Sequence, residues 1–324
     1  MTFEFRRAVR EQTSLLISIA GPSGAGKTYS ALKIATGLAG ADGRIAFIDT
    51  EAGRGLHYAD QFRFDHGDMK APFRPQSYTE AIMAADKAGY DVIVVDSMSH
   101  EYDGVGGILD WASSLADKMK PPKNWTEPKV AHKRMVANML QSRAHLIFCL
   151  RAEDKIKITR DDKGKMVIIQ PDEIPVQERW VPICEKRFMY EMTASVIVTP
   201  DRPGVPVPVK LQDQHRAAFP SGVPISEETG RVLAEWSHGG QPKPARDWKG
   251  WAREQSGRIA DCQTIFDLQA IEDAIYADLV QLRQVSAKAA DAIEERIAAK
   301  KAALPGDDDD TFPGDTPAEA EGVR

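Results

Sequence analysis

Residues 21–28 read Gly21-Pro22-Ser23-Gly24-Ala25-Gly26-Lys27-Thr28, with the spacing G-x-x-x-x-G-K-[ST]. A loop of this kind, entered from a strand and left through a helix, aims successive backbone N–H groups and a helix N-terminus at one point. An anion such as phosphate is favoured there, and glycines permit its close approach. In such a loop Lys27 contacts the β- and γ-phosphates of a nucleotide, and the Thr28 hydroxyl ligates Mg²⁺. Tyr29, next along, belongs to the expected nucleotide-binding set. The required flanks are present: "LLISIA" precedes the loop and "TYSALKIA" leads out of it.

Two carboxylate-bearing segments complete a site for phosphate chemistry. "DVIVVDS" is an unbroken apolar run that ends at Asp96, where an open α/β sheet holds its ligands. Asp96 is expected to bind Mg²⁺ directly or through water. "AFIDTE" ends a second strand and brings Asp49 and Glu51 beside the phosphates. Glu51 is the expected water-orienting base, and Glu101 in "DSMSHEYD" is its competitor.

The elements that must position these residues follow from the hydrophobic pattern. Strands are predicted at 15–20, 44–49, 91–96 and 145–150, and helices at 27–39, 77–90 and 131–143. Continuous apolar runs such as "VIVV" typify parallel strands buried on both faces. A hairpin is expected across "KIKITRDDKGKMVIIQ", turning at 161–164, and a further strand across 187–200. Strands alternating with helices predict a doubly wound, mostly parallel α/β sheet. "GGQPKPARD" reads as a linker, giving a core of 1–239, a linker of 240–247 and a small helical domain of 248–304.

Residues 305–324 hold seven acids against one base, so this tail alone carries the chain's net charge of −6. The remaining chain is neutral, and overall acidity therefore does not exclude a nucleic-acid partner. The tail has too few apolar residues to fold. Cys149, Cys184 and Cys262 are odd in number and far apart, which suits a reducing compartment better than a disulfide framework. The N-terminus lacks the apolar stretch of a secretory signal, and no apolar run approaches the ~20 residues of a membrane span. A cytoplasmic protein without membrane partners is the expectation.

The order and spacing of the phosphate loop, "AFIDTE", "DVIVVDS" and "HLIFCL" resemble the core of RecA-like P-loop ATPases over about residues 14–239. "DSMSHEYDGVGGILDWA", "HLIFCLRAEDK" and "PISEETGRVLAEW" are similar to the small RecA-like ATPases of bacteriophages, some of which anneal or recombine single strands. The resemblance implies ATP and Mg²⁺ as cofactors, Glu51 as catalytic glutamate, and assembly into rings or filaments. A phage-encoded chain would work in the cytoplasm of its bacterial host. Arg151 stands at the strand end where RecA proteins keep a γ-phosphate-sensing glutamine. It could sense the phosphate or reach DNA. Lys210 and Arg216 in "KLQDQHRAAF" are the candidates for a finger donated to a neighbouring subunit, although their spacing departs from K-x-R.

The resemblance also implies single-stranded DNA at two loops. The first carries Lys118, Lys120, Lys123, Lys129 and Lys133 around Trp125, on which a base could stack. The second carries Lys155, Lys157 and Arg160. Taken alone, each also reads as solvated charge. The helical domain or the acidic tail offers a place for a single-strand-binding or replication protein, and the tail reads equally well as a solubilising segment. A nucleotide-governed assembly switch or motor in packaging or partition is the alternative function. A P-loop small-molecule kinase is disfavoured, because no arginine cluster follows Asp96.

Overall fold

The computed structural model describes residues 12–155, 158–160, 165–169, 171–240 and 247–304. By internal contacts the chain divides into two compact units, Met1–Pro244 and Ala245–Arg324.

The first unit is an α/β core with a mostly parallel sheet, as expected from the sequence. Its strands are β1 (Leu16–Gly21), β2 (Ile45–Asp49), β3 (Asp65–Asp68), β4 (Val92–Asp96), β5 (His145–Asp154), β6 (Ile158–Arg160), β7 (Met166–Ile168), β8 (Trp180–Pro182), β9 (Ala194–Thr199) and β10 (Arg202–Leu211). Its helices are α1 (Lys27–Ala39), α2 (Pro75–Lys87), α3 (Ser99–Asp103), α4 (Ile108–Leu115), α5 (Thr126–Met139), α6 (Val176–Arg179), α7 (Phe188–Glu191) and α8 (Glu227–His238). The sheet runs in the order β10-β9-β1-β5-β4-β2-β3. All neighbours pair in parallel except β10, which runs antiparallel to β9. One strand, β5, thus separates the strand entering the phosphate loop from the strand ending in Asp96.

Alternate residues of each central strand feed two apolar layers, as a pleat requires. Ile17, Ile19, Val92, Val94, Ile147 and Val196 pack on one face with Leu32 and Leu38 of α1 and Leu233 of α8. Leu16, Ile93, Val95, Leu146, Phe148 and Leu150 pack on the other with Tyr78 and Ile82 of α2 and Met135 and Met139 of α5. Helices α1 and α8 touch backbone to backbone. A Cβ on Gly37 would lie 2.0 Å from the Glu227 carbonyl oxygen, and one on Gly230 would lie 2.2 Å from that of Ile34. Lys33 and Glu227 close the same contact with a 2.6 Å ion pair.

Several elements differ from the sequence expectation. Strand β5 continues four residues past 150, because the antiparallel β8 pairs with Ala152–Asp154. Arg151 therefore stands within a strand and not at its end. Residues 187–200 are not one strand: Phe188 begins a helical turn and is buried with Met192 in the second layer, and β9 starts only at Ala194. Strand β10 carries Pro203, Pro206 and Pro208, which an edge strand tolerates. The hairpin is present as β6 and β7, paired Ile158 to Ile168 and Arg160 to Met166. Its expected turn, 161–164, lies outside the described residues, as do Lys157 and the tail 305–324.

Among the described residues the second unit has three helices, α9 (Trp248–Asp261), α10 (Ile265–Val285) and α11 (Ala287–Ala303), with an apolar core that includes Ile259, Leu268, Ile275, Leu279, Leu282, Ile293 and Ile297. Each helix starts on a side-chain cap, from Asp247, Thr264 and Ser286 respectively, which satisfies otherwise orphaned N–H groups. Among the described residues no helix is long and apolar enough to cross a membrane.

Candidate nucleotide site

Register brings the C-terminal ends of β1, β2 and β4 to one edge, level with Cys149–Arg151 inside the longer β5. Gly21 of β1 pairs with Arg151 of β5, Asp49 of β2 with Asp96 of β4, and Asp96 with Cys149 of β5. Strand ends of this kind are where α/β sheets place ligands. A cavity of ≈ 820 Å³ opens there, within the ~300–1,000 Å³ usual for small-ligand sites. Its walls include Pro22, Ser23, Gly24, Gly26, Lys27 and Thr28 from the loop, Asp49, Asp96 and Arg151 from the strands, and Glu51 just past the end of β2.

The loop has the backbone its sequence demands. Gly26 caps α1 at φ 86°, a left-handed conformation that costs glycine least. Gly21 is needed for another reason, since a Cβ there would sit 2.2 Å from the Val198 carbonyl oxygen of β9. Gly21, fully buried Ala25 and Tyr29 support the loop without lining the cavity. Tyr29, expected beside the nucleotide, packs instead against Tyr58 and Phe62, with ring centroids 6.0 and 5.3 Å away. Lys27 Nζ donates to the Pro22 carbonyl at 2.9 Å, so its ammonium lies within the loop's own concavity.

Thr28 Oγ1 donates to Asp96 Oδ2 at 2.6 Å. Asp96 is buried, and burial raises its pKa from the ordinary carboxylate value, with the Thr28 hydroxyl and the Lys27 charge opposing the shift. A hydroxyl and a buried carboxylate are hard oxygen donors. They fit Mg²⁺, which takes one or two protein ligands and completes its shell with water and phosphate oxygens.

Glu51 is carried by a tight turn that the sequence reading did not resolve. Thr50 ties β2 to β4: its N–H donates to the Asp96 carbonyl at 2.8 Å, and its hydroxyl accepts from Ser97 N–H at 2.7 Å. Asp49 was expected beside the phosphates. It lines the cavity, and its fully buried carboxylate accepts the N–H groups of Glu51 at 2.6 Å and Gly55 at 2.8 Å, and faces His66 Nε2 at 3.1 Å. Glu101, the competing base, is 1% exposed and pairs with His132 Nδ1 at 3.0 Å. Burial raises its carboxyl pKa, the His132 partner offsets part of that, and the residue does not line the cavity.

Arg151 lines the cavity and holds Glu51 Oε1 from Nε at 3.1 Å and Nη2 at 2.7 Å. Arg54, His57 and Tyr58 also line it, and the sequence reading missed all three. The available signal was the glycine on each side of Arg54 in "EAGRGLHY", which marks a turn directly after Glu51.

Lys210 and Arg216 do not line this cavity. Lys210 Nζ donates to the Tyr190 carbonyl at 2.5 Å, and Arg216 pairs with Asp213 at 2.7 Å. In the first expected DNA loop, Lys118, Lys120, Lys123, Lys129 and Lys133 are all exposed. The segment is not an open loop, however. Helix α5 already begins at Thr126, and Pro128 fits its first turn, where a missing N–H costs nothing. Trp125 is half-buried at the entry to α5, with Lys129 Nζ 5.7 Å from its ring centroid, and is not the open stacking platform expected. Asn124 pins the same turn, donating to the Ala112 carbonyl at 2.9 Å. In the second region Lys155 is exposed after β5, and Arg160 closes β6.

Fold and cavity together define a P-loop nucleotide-binding domain of the kind that hydrolyses nucleoside triphosphates. The chain belongs to the AAA domain family, whose sequence pattern matches residues 13–183. No curated protein matches the chain. Among solved structures, a KaiC-like protein from the hyperthermophilic archaeon Pyrococcus horikoshii OT3 is similar over 60% of this chain and 81% of its own, at 14% identity and a TM-score of 0.31.

Proposed function

We propose that this protein binds ATP with Mg²⁺ at the cavity around Lys27, hydrolyses it, and couples that cycle to single-stranded DNA. The observation that carries the hydrolytic reading is the meeting of the Thr28–Asp96 pair with Glu51 at the ends of two paired strands. The loop's N–H groups and the N-terminus of α1 hold the phosphates, and Lys27 exchanges the Pro22 carbonyl for phosphate oxygens. Thr28 and Asp96 would hold Mg²⁺, which when bound neutralises charge on the terminal phosphates. Glu51 orients a water molecule and accepts its proton.

The DNA reading draws its support from the exposed lysines on and before α5, Lys118, Lys120, Lys123, Lys129 and Lys133, with Lys155 beyond β5. Assembly into a ring or filament, with Lys210 or Arg216 reaching a neighbour, and a role in phage recombination, annealing or replication rest on the motif resemblance. So does recruitment of a single-strand-binding or replication protein through the helical unit or the tail. ATP turnover measured with single-stranded DNA, double-stranded DNA and no DNA tests the proposal. Slow hydrolysis that single strands stimulate is expected. Turnover indifferent to DNA, with no binding at low salt, would leave a nucleotide-governed assembly switch in its place.

A further inference from the structure

Glu51 carries a guanidinium on each of its oxygens. Arg151 occupies Oε1 through two nitrogens at 3.1 and 2.7 Å, and Arg54 Nη1 reaches Oε2 at 3.2 Å. His100 Nε2 stands 3.8 Å from Oε1. A carboxylate engaged in this way has few lone pairs left for a water proton. All three residues line the cavity that contains Lys27, and their side-chain exposures differ: 15% for Glu51, 43% for Arg151 and 76% for Arg54.

The backbone beneath Arg54 is fixed although its side chain is open. Ala52 and Gly53 take left-handed conformations, at φ 59° and 83°. The buried Asp49 carboxylate clamps the N–H groups on both sides of the turn. Arg54 is therefore presented to the cavity from a rigid base, with a long side chain able to choose between partners. Arginine prefers multiply charged oxyanions, and a terminal phosphate offers three oxygens and more charge than a carboxylate.

We infer that Arg54 is a second arginine for the terminal phosphate, supplied by the same chain, and that a nucleoside triphosphate acts by exchange. Arg54 and Arg151 leave Glu51 for the terminal phosphate, and the freed carboxylate takes up the water. The water oxygen then bonds to the γ-phosphorus as the bond to the β–γ bridging oxygen breaks. ADP departs with that electron pair, and the water's proton passes to Glu51. A diphosphate lacks the group that opens the pair, so the ADP-bound site keeps Glu51 closed. This inference rests on the ATP-hydrolysis reading and adds to it how the site distinguishes triphosphate from diphosphate.

The test is binding of ADP and of a non-hydrolysable ATP analogue, by calorimetry, to the full chain and to Lys27→Ala, Arg54→Gln, Arg54→Lys and Glu51→Gln. Arg54→Gln should weaken the triphosphate analogue roughly tenfold and leave ADP within about twofold, as loss of a charge-assisted contact to one phosphate requires. Arg54→Lys should recover part of that loss. Glu51→Gln should bind the analogue several-fold more tightly, since the arginines no longer have a carboxylate to leave. Equal weakening of both nucleotides by Arg54→Gln, no weakening of either, or weaker analogue binding by Glu51→Gln would overturn the exchange while ATP binding stood. A wild-type chain that bound neither nucleotide would sink the hydrolysis reading, and this inference with it.

Discussion

The Thr28 hydroxyl lies 2.6 Å from the Asp96 carboxylate, so the first turn of α1 and the end of β4 share a hydrogen bond across the cavity floor. Neither partner has far to move to share a dication. Thr28→Ala should raise the Mg²⁺ concentration needed for half-maximal turnover at least roughly tenfold. Burial raises the Asp96 pKa, so protons compete with Mg²⁺ for this carboxylate. Apparent Mg²⁺ affinity should therefore strengthen as pH rises through the Asp96 pKa, and a magnesium titration at several pH values checks the sign.

Glu51 and Glu101 differ in what surrounds them, and their amide variants should differ in turnover. Glu51→Gln is expected to slow hydrolysis by ~10²–10⁴-fold, the usual range for losing a positioned base. Glu101→Gln sits outside the cavity and should leave turnover within a few-fold. A colorimetric phosphate-release assay on both decides between them.

Gly37 and Gly230 allow α1 and α8 to meet without side chains between them. Gly37→Ala would drive a methyl group into the Glu227 carbonyl, and backbone cannot yield as a flexible side chain can. A loss of about 2–3 kcal/mol is expected, at the upper end for overpacking. Urea denaturation should show a lower midpoint with an unchanged slope.

His145 is buried, its Nδ1 accepts the Leu15 N–H at 3.1 Å, and burial with the nearby His238 lowers its pKa to about 4. The unfolded chain binds this proton near pH 6.5, whereas the folded chain resists it until about 4. Stability is thus fully present above pH 6.5 and lost as pH falls through that window. The loss amounts to at most about 3–4 kcal/mol, at ~1.4 kcal/mol per pH unit. His145→Asn, which keeps an acceptor that does not titrate there, should flatten the acid limb of the stability profile.

Lys129 and Lys133 project from α5 into solvent. If they neutralise phosphates, Lys129→Glu with Lys133→Glu should weaken single-strand binding uniformly across sequences. It should also reduce the dependence of log K on log salt by about 1–2. Trp125 makes a poorer probe, because its half-buried ring helps to seat the start of α5.

The chemistry-bearing stretches were legible because each obeys a local rule. The phosphate loop needs its glycines for backbone reasons, and α1 spans the residues its pattern predicts, 27–39. Strands β1, β2 and β4 are buried on both faces, so their apolar runs stand out. Strand β3 reads Asp65-His66-Gly67-Asp68 and has no hydrophobic signal, because it is a largely exposed edge strand paired to β2 on one side. Strand β10 was hidden by prolines and glycine that read as loop. The extension of β5 was hidden because it depends on β8, some 30 residues further on.

Local pattern was enough to place the glycine-rich loop and the buried strands that end in Asp49 and Asp96, since backbone geometry and apolar runs are properties of neighbouring residues. The task of each carboxylate came from long-range packing. Asp49 turned inward to hold a turn, Glu101 was buried against His132, and Glu51 faced the cavity between Arg54 and Arg151. Those roles depend on strand register and on charges up to 100 residues apart, and an ion pair between distant residues leaves no mark on the local pattern of either.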